Sequence, residues 1–253
     1  MSSKDYQLNY TENAVAKEKL YDTDARLQKA RMVNSILGDY LGDTKDLALL
    51  DMSCSNGLMT KQIAESFGTV IGIDIDEGAL DHAKEYSSGS NIRYEKMDGL
   101  HTCFEDNKFD VVLCSQMYEH VPDPQQLMSE IHRILKPGGV CYFGATSRLK
   151  IIETHYGRIP FLSYLPKSLA NRYLRLLGKG DQYYETLFTY WGLKRLVSSF
   201  TIVDYTLQVL RNPLKFHSEG ITAPGLGAKS TYYAAKAMYP LLPGYIWILK
   251  KAT

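Results

Sequence analysis

No sign of charge dominates this chain: 29 Lys and Arg face 28 Asp and Glu, for a formal net charge of +1 over 253 residues. Without a basic field to steer a polyanion, nucleic acid is not an expected partner. Cysteine is scarce. Cys54, Cys103, Cys114 and Cys141 lie far apart and form no C-x-x-C pair, which argues against a disulfide framework and a zinc site. They read as small core hydrophobes in a reducing, cytoplasmic setting. Long apolar runs are missing too. The most apolar stretch, residues 239–250, is broken by Pro240 and Pro243 and is too short to span a bilayer. The first residues, Met1 to Tyr6, lack the apolar core of a secretory signal. There are no internal repeats. No N/D-P-P-Y motif occurs where strand four is expected, and no G-x-G-x-x-G occurs anywhere that a dinucleotide loop would need it.

What is present begins at Leu47. Residues 47–57 read as a buried strand ending in Asp51, followed by a loop with Ser53, Ser55 and Gly57 at its small positions. Leu58, Ile63, Ala64 and Phe67 then recur at helical spacing. Such a turn opens backbone amides and a helix N-terminus to a ligand. Asp51 would repel a pyrophosphate there and welcome a cation. A second strand, Thr69 to Asp74, ends in another acid about twenty residues beyond the loop, where a carboxylate accepts both hydroxyls of a ribose. In residues 92–99 Asp98 is placed to accept from an adenine amino group, with Met97 packing on the ring. Lys108 to Cys114 and Leu135 to Val140 add two more core segments.

That ordered set, covering residues 45–146, resembles the class I S-adenosylmethionine-dependent methyltransferases, and among them the small-molecule group related to quinone-ring methyltransferases. The resemblance implies an α/β fold: a Rossmann-like, doubly wound, mostly parallel seven-stranded sheet with an antiparallel last strand. It implies S-adenosylmethionine as cofactor, with Asp51, Ser53, Ser55 and Gly57 near its amino-acid end and Asp74 and Ile75 at the ribose. Met97, Asp98 and Gly99 fall at the adenine, and Ser115 and Gln116 at the end of strand four. Ser53 and Ser55 stand where this group usually has glycine, and serine tolerates positive φ poorly.

Four regions follow. Residues 1–44 read as an N-terminal helical lid, with Tyr6, Tyr10 and Tyr21 as candidate contacts and Thr23 or Asp24 capping its second helix. Residues 45–146 form the cofactor-binding core. Residues 147–190 form a cap inserted after strand five, too long for a simple loop, with a helix over 168–177. Residues 191–253 complete the core, with strand six over 199–210, a loop-rich stretch over 213–231 and a final strand over 245–250. Asp123-Pro124-Gln125-Gln126 predicts a capped helix start, and Leu127, Ile131, Ile134 and Leu135 its buried stripe. Between Arg148 and Lys179 the cap carries seven cations against one acid, Glu153, and places Phe161, Leu162, Tyr164 and Leu165 between two prolines. This composition suits an anionic acceptor or peripheral contact with a membrane.

The chemistry is expected at Ser115 to Val121, beyond the carboxyl end of strand four. His120, whose imidazole titrates near neutrality, is the candidate general base, with Glu119 beside it. Ubiquinone-pathway O-methyltransferases resemble this site, with a Glu-x-x-Glu-His pattern able to bind metal. Here Gln116 takes the first acidic position, so no metal ligands are assigned and a divalent cation stays open. Glu153, His155 and Tyr156 form a second cluster, read with Tyr21 as acceptor contacts. The expected activity is methyl transfer to a small-molecule or lipid-linked acceptor, at oxygen, by a monomer or homodimer. Methylation of a quinone-like ring carbon and a non-catalytic nucleotide-binding role are the alternatives.

Overall fold

The structure, a computed structural model, describes residues 23–221 and 227–253. Tyr6, Tyr10 and Tyr21 lie outside the described residues. The first described helix, α1 (Thr23–Leu41), holds Thr23 and Asp24 inside its first turn.

The core alternates strands and helices: β1 (Ala48–Asp51), α2 (Leu58–Ala64), β2 (Thr69–Asp74), α3 (Glu77–Tyr86), β3 (Ile92–Lys96), β4 (Phe109–Ser115), α4 (Pro124–Ile134) and β5 (Leu135–Thr146). The sheet order is β3-β2-β1-β4-β5-β9-β8. Here β8 is Thr201–Asp204 and β9 is Gly244–Lys250. Six strands, β1 to β5 and β8, run in one direction, and β9 runs antiparallel between β5 and β8. The chain winds outward from β1 to β3 and then restarts at β4 on the other side of β1. That switch opens a crevice at the carboxyl ends of β1 and β4.

Strand alternation divides the core into two layers. Leu50, Val112, Cys114, Cys141 and Phe143 face one side, where α4 and α6 (Tyr190–Leu196) cover them. Leu49, Val111, Leu113, Val140 and Tyr142 face the other, beneath α1 and α2. The near-continuous apolar runs in the sequence have this cause: both faces are buried. Cys54, Cys114 and Cys141 are free and buried, and Cys103 is exposed.

At α4 the Asp123 carboxylate accepts from the Gln125 and Gln126 N–H groups, and the Leu127–Ile131–Ile134–Leu135 stripe is fully buried. The reciprocal half of a capping box is not formed. Gln126 instead donates to the Leu100 carbonyl at 3.0 Å, tying α4 to the loop after β3.

Two expectations need correction. Strand six is only the four residues of β8, because the Asp204 carboxylate accepts the Thr206 N–H at 2.8 Å and turns the chain into helix α7 (Thr206–Arg211). The stretch read as loop to residue 231 already contains the start of α8 (Ala228–Ala237), an alanine-rich segment with good helix propensity.

The cap is a separate small layer. A short hairpin, β6 (Ile152–Glu153) and β7 (Ile159–Pro160), is followed by a single 3₁₀ turn at Leu162–Tyr164 and helix α5 (Lys167–Leu176). Its own apolar centre is Tyr156, Ile159, Leu162, Ala170, Leu174 and Tyr183. Among the described residues, no helix is long and apolar enough to cross a membrane.

Candidate active site

Beyond the carboxyl ends of the strands lies a cavity of about 820 Å³. Asp51 ends β1, Asp74 ends β2, Asp98 follows β3, and Ser115 and Gln116 close β4; all five line it. Ser53, Ser55, Ile75, Met97 and Gly99 line it as well.

Asp51 is buried, and its Oδ2 accepts from the Thr60 hydroxyl at 2.7 Å. Burial pushes its carboxyl up to about 6. Asp74 accepts from the Ser55 N–H at 2.9 Å on one oxygen and from the Asp76 N–H at 3.0 Å on the other. Each oxygen keeps a second lone-pair site for a hydroxyl donor. Asp98 accepts from the Leu100 N–H at 2.9 Å, which turns the loop back over the cavity.

The loop after β1 resolves the serine question. Ser55 adopts φ +51°, a left-handed conformation that glycine would take without cost, and its amide is the one that fixes Asp74. Gly57, at φ +73°, does not line the cavity. An added Cβ would come within 2.5 Å of the Tyr94 hydroxyl and 2.9 Å of the Ala83 Cβ. Gly57 lets α3 and β3 approach the loop from behind.

Gln116 sits at φ +56°, and its side-chain oxygen accepts from the Lys29 ammonium of α1. Lys29 and Arg26 therefore bring positive charge to the end of the cavity that holds Asp51. Burial lowers the Lys29 pKa to about 8, partly countered by the Glu119 charge.

The second cluster gathers beneath the cap. His120 follows β4, and His155 lies in the hairpin loop. Both line the cavity, and their rings meet edge to face with centroids 4.8 Å apart. His155 Nδ1 lies 2.6 Å from Glu153 Oε1, and the His155 backbone N–H donates to the same oxygen at 3.1 Å. A carboxylate only accepts, so Nδ1 is the nitrogen that donates to Glu153. Glu153 is fully buried and is held from two more directions. Lys150 Nζ is 2.7 Å from Oε1, and the Tyr183 hydroxyl donates to Oε2 at 2.8 Å. Burial alone would raise its pKa. The His155 hydrogen bond and the His155 and Lys150 charges outweigh that and hold it well below the usual carboxylate range.

His120 has its own acid, Glu185, with Oε1 3.7 Å from Nδ1. Glu119 lies beneath the pair and does not line the cavity. It is 1% exposed, burial raises its pKa, and neither oxygen accepts a well-formed hydrogen bond among the described residues. Glu119, His120 and His155 each bring one ligand atom to within 4.8 Å of the others. Two imidazoles with carboxylates behind them and one orphaned carboxylate fit a divalent cation. Gln116, tied to Lys29, is not in that set. Tyr156 is buried in the cap core, and its hydroxyl accepts from the Tyr184 N–H at 3.1 Å, away from the cavity.

Arg26, Lys29 and Glu185 are the residues sequence reasoning missed. Arg26 and Lys29 stand three apart on α1, a weak helical signal. Glu185 carried none: it is one acid at the end of a polar stretch, seated where the Thr186 N–H donates to the Glu119 carbonyl and Lys167 donates to the carbonyls of residues 183–185.

Residues 50–143 match the methyltransferase domain family. The ubiquinone biosynthesis O-methyltransferase of Methylococcus capsulatus is 29% identical over 174 residues, covering 61% of this chain and 73% of the relative. That of Pseudomonas entomophila is 30% identical over 159 residues, covering 58% of this chain and 67% of the relative. An S-adenosylmethionine-dependent methyltransferase from Mesorhizobium loti superposes with a TM-score of 0.56 at 16% identity, over 85% of this chain and 96% of that one. At that identity the likeness speaks for the fold.

Proposed function

This chain belongs to the class I S-adenosylmethionine-dependent methyltransferases, and we propose that it methylates a hydroxyl oxygen of a small-molecule or lipid-linked acceptor. The observation that carries this reading is the Glu153–His155 pair, turned toward His120 in the wall of the cofactor cavity.

The cofactor supplies a methyl group made electrophilic by its sulfonium charge. The residues of this chain supply the rest. Asp51 offers a negative charge to the cationic amino-acid end, while Lys29 and Arg26 complement its carboxylate. Asp74 takes the ribose hydroxyls, and Asp98 with Met97 takes the adenine. The Ser115 hydroxyl, buried in the wall and without a hydrogen-bond partner among the described residues, is a further donor for the ligand. His155 presents Nε2 to the cavity as the base for the acceptor hydroxyl, and Glu153 stabilises the imidazolium that forms. His120 stands opposite, and the cap covers the site against water. Glu119, His120 and His155 would alternatively hold a divalent cation; His155 Nε2 would then be a ligand rather than the base, and the cation would lower the pKa of a coordinated hydroxyl.

Cell extract incubated with the enzyme and isotopically labelled cofactor tests the reading by mass spectrometry. An O-methylated product is expected. A label on ring carbon would replace it with the carbon-methylation reading.

A further inference from the structure

Residues 182–189 run from the cap to α6 without helix or strand, yet they carry the supports of both cavity histidines. Tyr183 and Glu185, two residues apart, are both buried. The Tyr183 hydroxyl donates to Glu153 Oε2 at 2.8 Å, and the other oxygen of Glu153 accepts from His155 Nδ1. Glu185 Oε1 stands 3.7 Å from His120 Nδ1. The edge-to-face contact of the two rings is thus backed, on both sides, by one short segment of chain.

A single side chain bends that segment. Lys167, the first residue of α5, donates to the Tyr183 carbonyl at 3.0 Å, to the Tyr184 carbonyl at 2.8 Å and to the Glu185 carbonyl. Its ammonium also lies 4.7 Å from the centre of the Tyr183 ring. In a regular strand successive carbonyls alternate in direction, so three in a row meeting one atom require a chain curved around it. An ammonium has three donors, and here the segment takes all three. A cation in the first turn opposes the helix dipole, and no acid of that turn offsets it. Its placement is repaid by the carbonyls it gathers. Past the bend the chain is pinned again: the Tyr184 N–H donates to the Tyr156 hydroxyl, and the Thr186 N–H to the Glu119 carbonyl at 2.9 Å.

We propose that Lys167 is a positioning residue for methyl transfer. By gathering the carbonyls of residues 183–185 it seats Tyr183 against Glu153 and Glu185 against His120, and so holds both imidazoles in their facing arrangement. Lys167, Tyr183 and Glu185 do not line the cavity, so the effect passes through the histidines. Its consequence for rate rests on the reaction proposed above, whereas its hold on the segment does not.

The test begins with K167M, a change at an exposed residue. Label transfer from S-adenosylmethionine to cell extract should slow about 10- to 100-fold at saturating cofactor, the cost of misplacing reacting groups by about 1 Å. The cofactor Kd should stay within about twofold. Amide exchange at Tyr184 and Thr186 should accelerate at least about tenfold, because bonds from a charged donor are lost. L174A opens a cavity in the cap centre without touching Lys167, and shows what lost cap stability alone does to turnover. K167M should slow transfer more than L174A at equal loss of melting temperature. In a Y183F/E185Q background, where both supports are gone, adding K167M should change the rate less than about twofold. A K167M loss no greater than that of L174A overturns the proposal, as does a full further loss in Y183F/E185Q. Protected Tyr184 and Thr186 amides in K167M overturn the hold on the segment itself. Failure of the proposed reaction reads differently: H155A would turn over normally while K167M still loosened those amides.

Discussion

The cofactor end of the cavity and the cap both hold carboxylates, but they hold them differently. At the cofactor end, Asp51, Asp74 and Asp98 stand at successive strand ends, and each takes a backbone N–H or hydroxyl from within ten residues of chain or from the adjacent loop. In the cap region, Glu153 and Glu185 are paired with cationic or ionisable side chains. The first arrangement places the carboxylates in the cavity wall with lone pairs left over. The second uses them on the protein itself, to aim two imidazoles. On the proposed reading, one region binds the cofactor and the other orients the base.

The comparison is sharpest at His155. H155A should lower kcat by about 10²- to 10⁴-fold, the range for a lost general base, with the cofactor Kd unchanged. Equal loss in both would merge the two regions into one binding site. E153Q should destabilise the fold by about 3–5 kcal/mol in urea titration, because Lys150 would keep a buried charge without its counter-ion. A change within 1 kcal/mol would mean that the cap tolerates that charge through solvent.

D74A probes the binding region. Losing two hydroxyl contacts to a carboxylate should weaken S-adenosylmethionine about 100-fold by calorimetry, at roughly 1.5 kcal/mol or slightly less per contact. The pH dependence should be smaller and of known sign. With its carboxyl near 6, Asp51 is ionised above that pH and attracts the cationic cofactor. Cofactor affinity should therefore hold above about pH 6 and fall about tenfold per unit below it. The ligand-free protein should move the other way. The folded pKa exceeds the unfolded one, so its protonation adds stability as pH drops from 6 toward 4. Smallest of all, S55G should raise stability by about 1 kcal/mol in thermal melts by relieving the left-handed backbone.

The binding region was the legible one. A buried strand, a small-residue turn and a helix leave a periodic trace, and the acid at each strand end is found by counting from it. Even there Gly57 misleads: its smallness serves Tyr94 and Ala83, not a ligand. The cap left a weaker trace. Its composition marked it as an insertion and its helix was found nearly in register. The hairpin was not anticipated. It depends on positive φ at Gly157 and Arg158 and on strands two residues long, too short for alternation to register. Strand six was overread because its apolar residues continue into α7, and a single Asp204 hydrogen bond decides where strand becomes helix.

Local pattern thus determined the alternation of core strands and helices and the acids at three strand ends, because helical and strand periodicities act between residues close in sequence; the doubly wound sheet followed from the family those motifs resemble. Only the tertiary structure decided which charges meet. The Tyr183 hydroxyl reaches Glu153 across 30 residues, and Lys29 reaches Gln116 across 87. A hydrogen bond or an ion pair forms where the chain's path brings donor and acceptor within about 3 Å, and that path is set by the packing of whole elements rather than by the residues beside either partner.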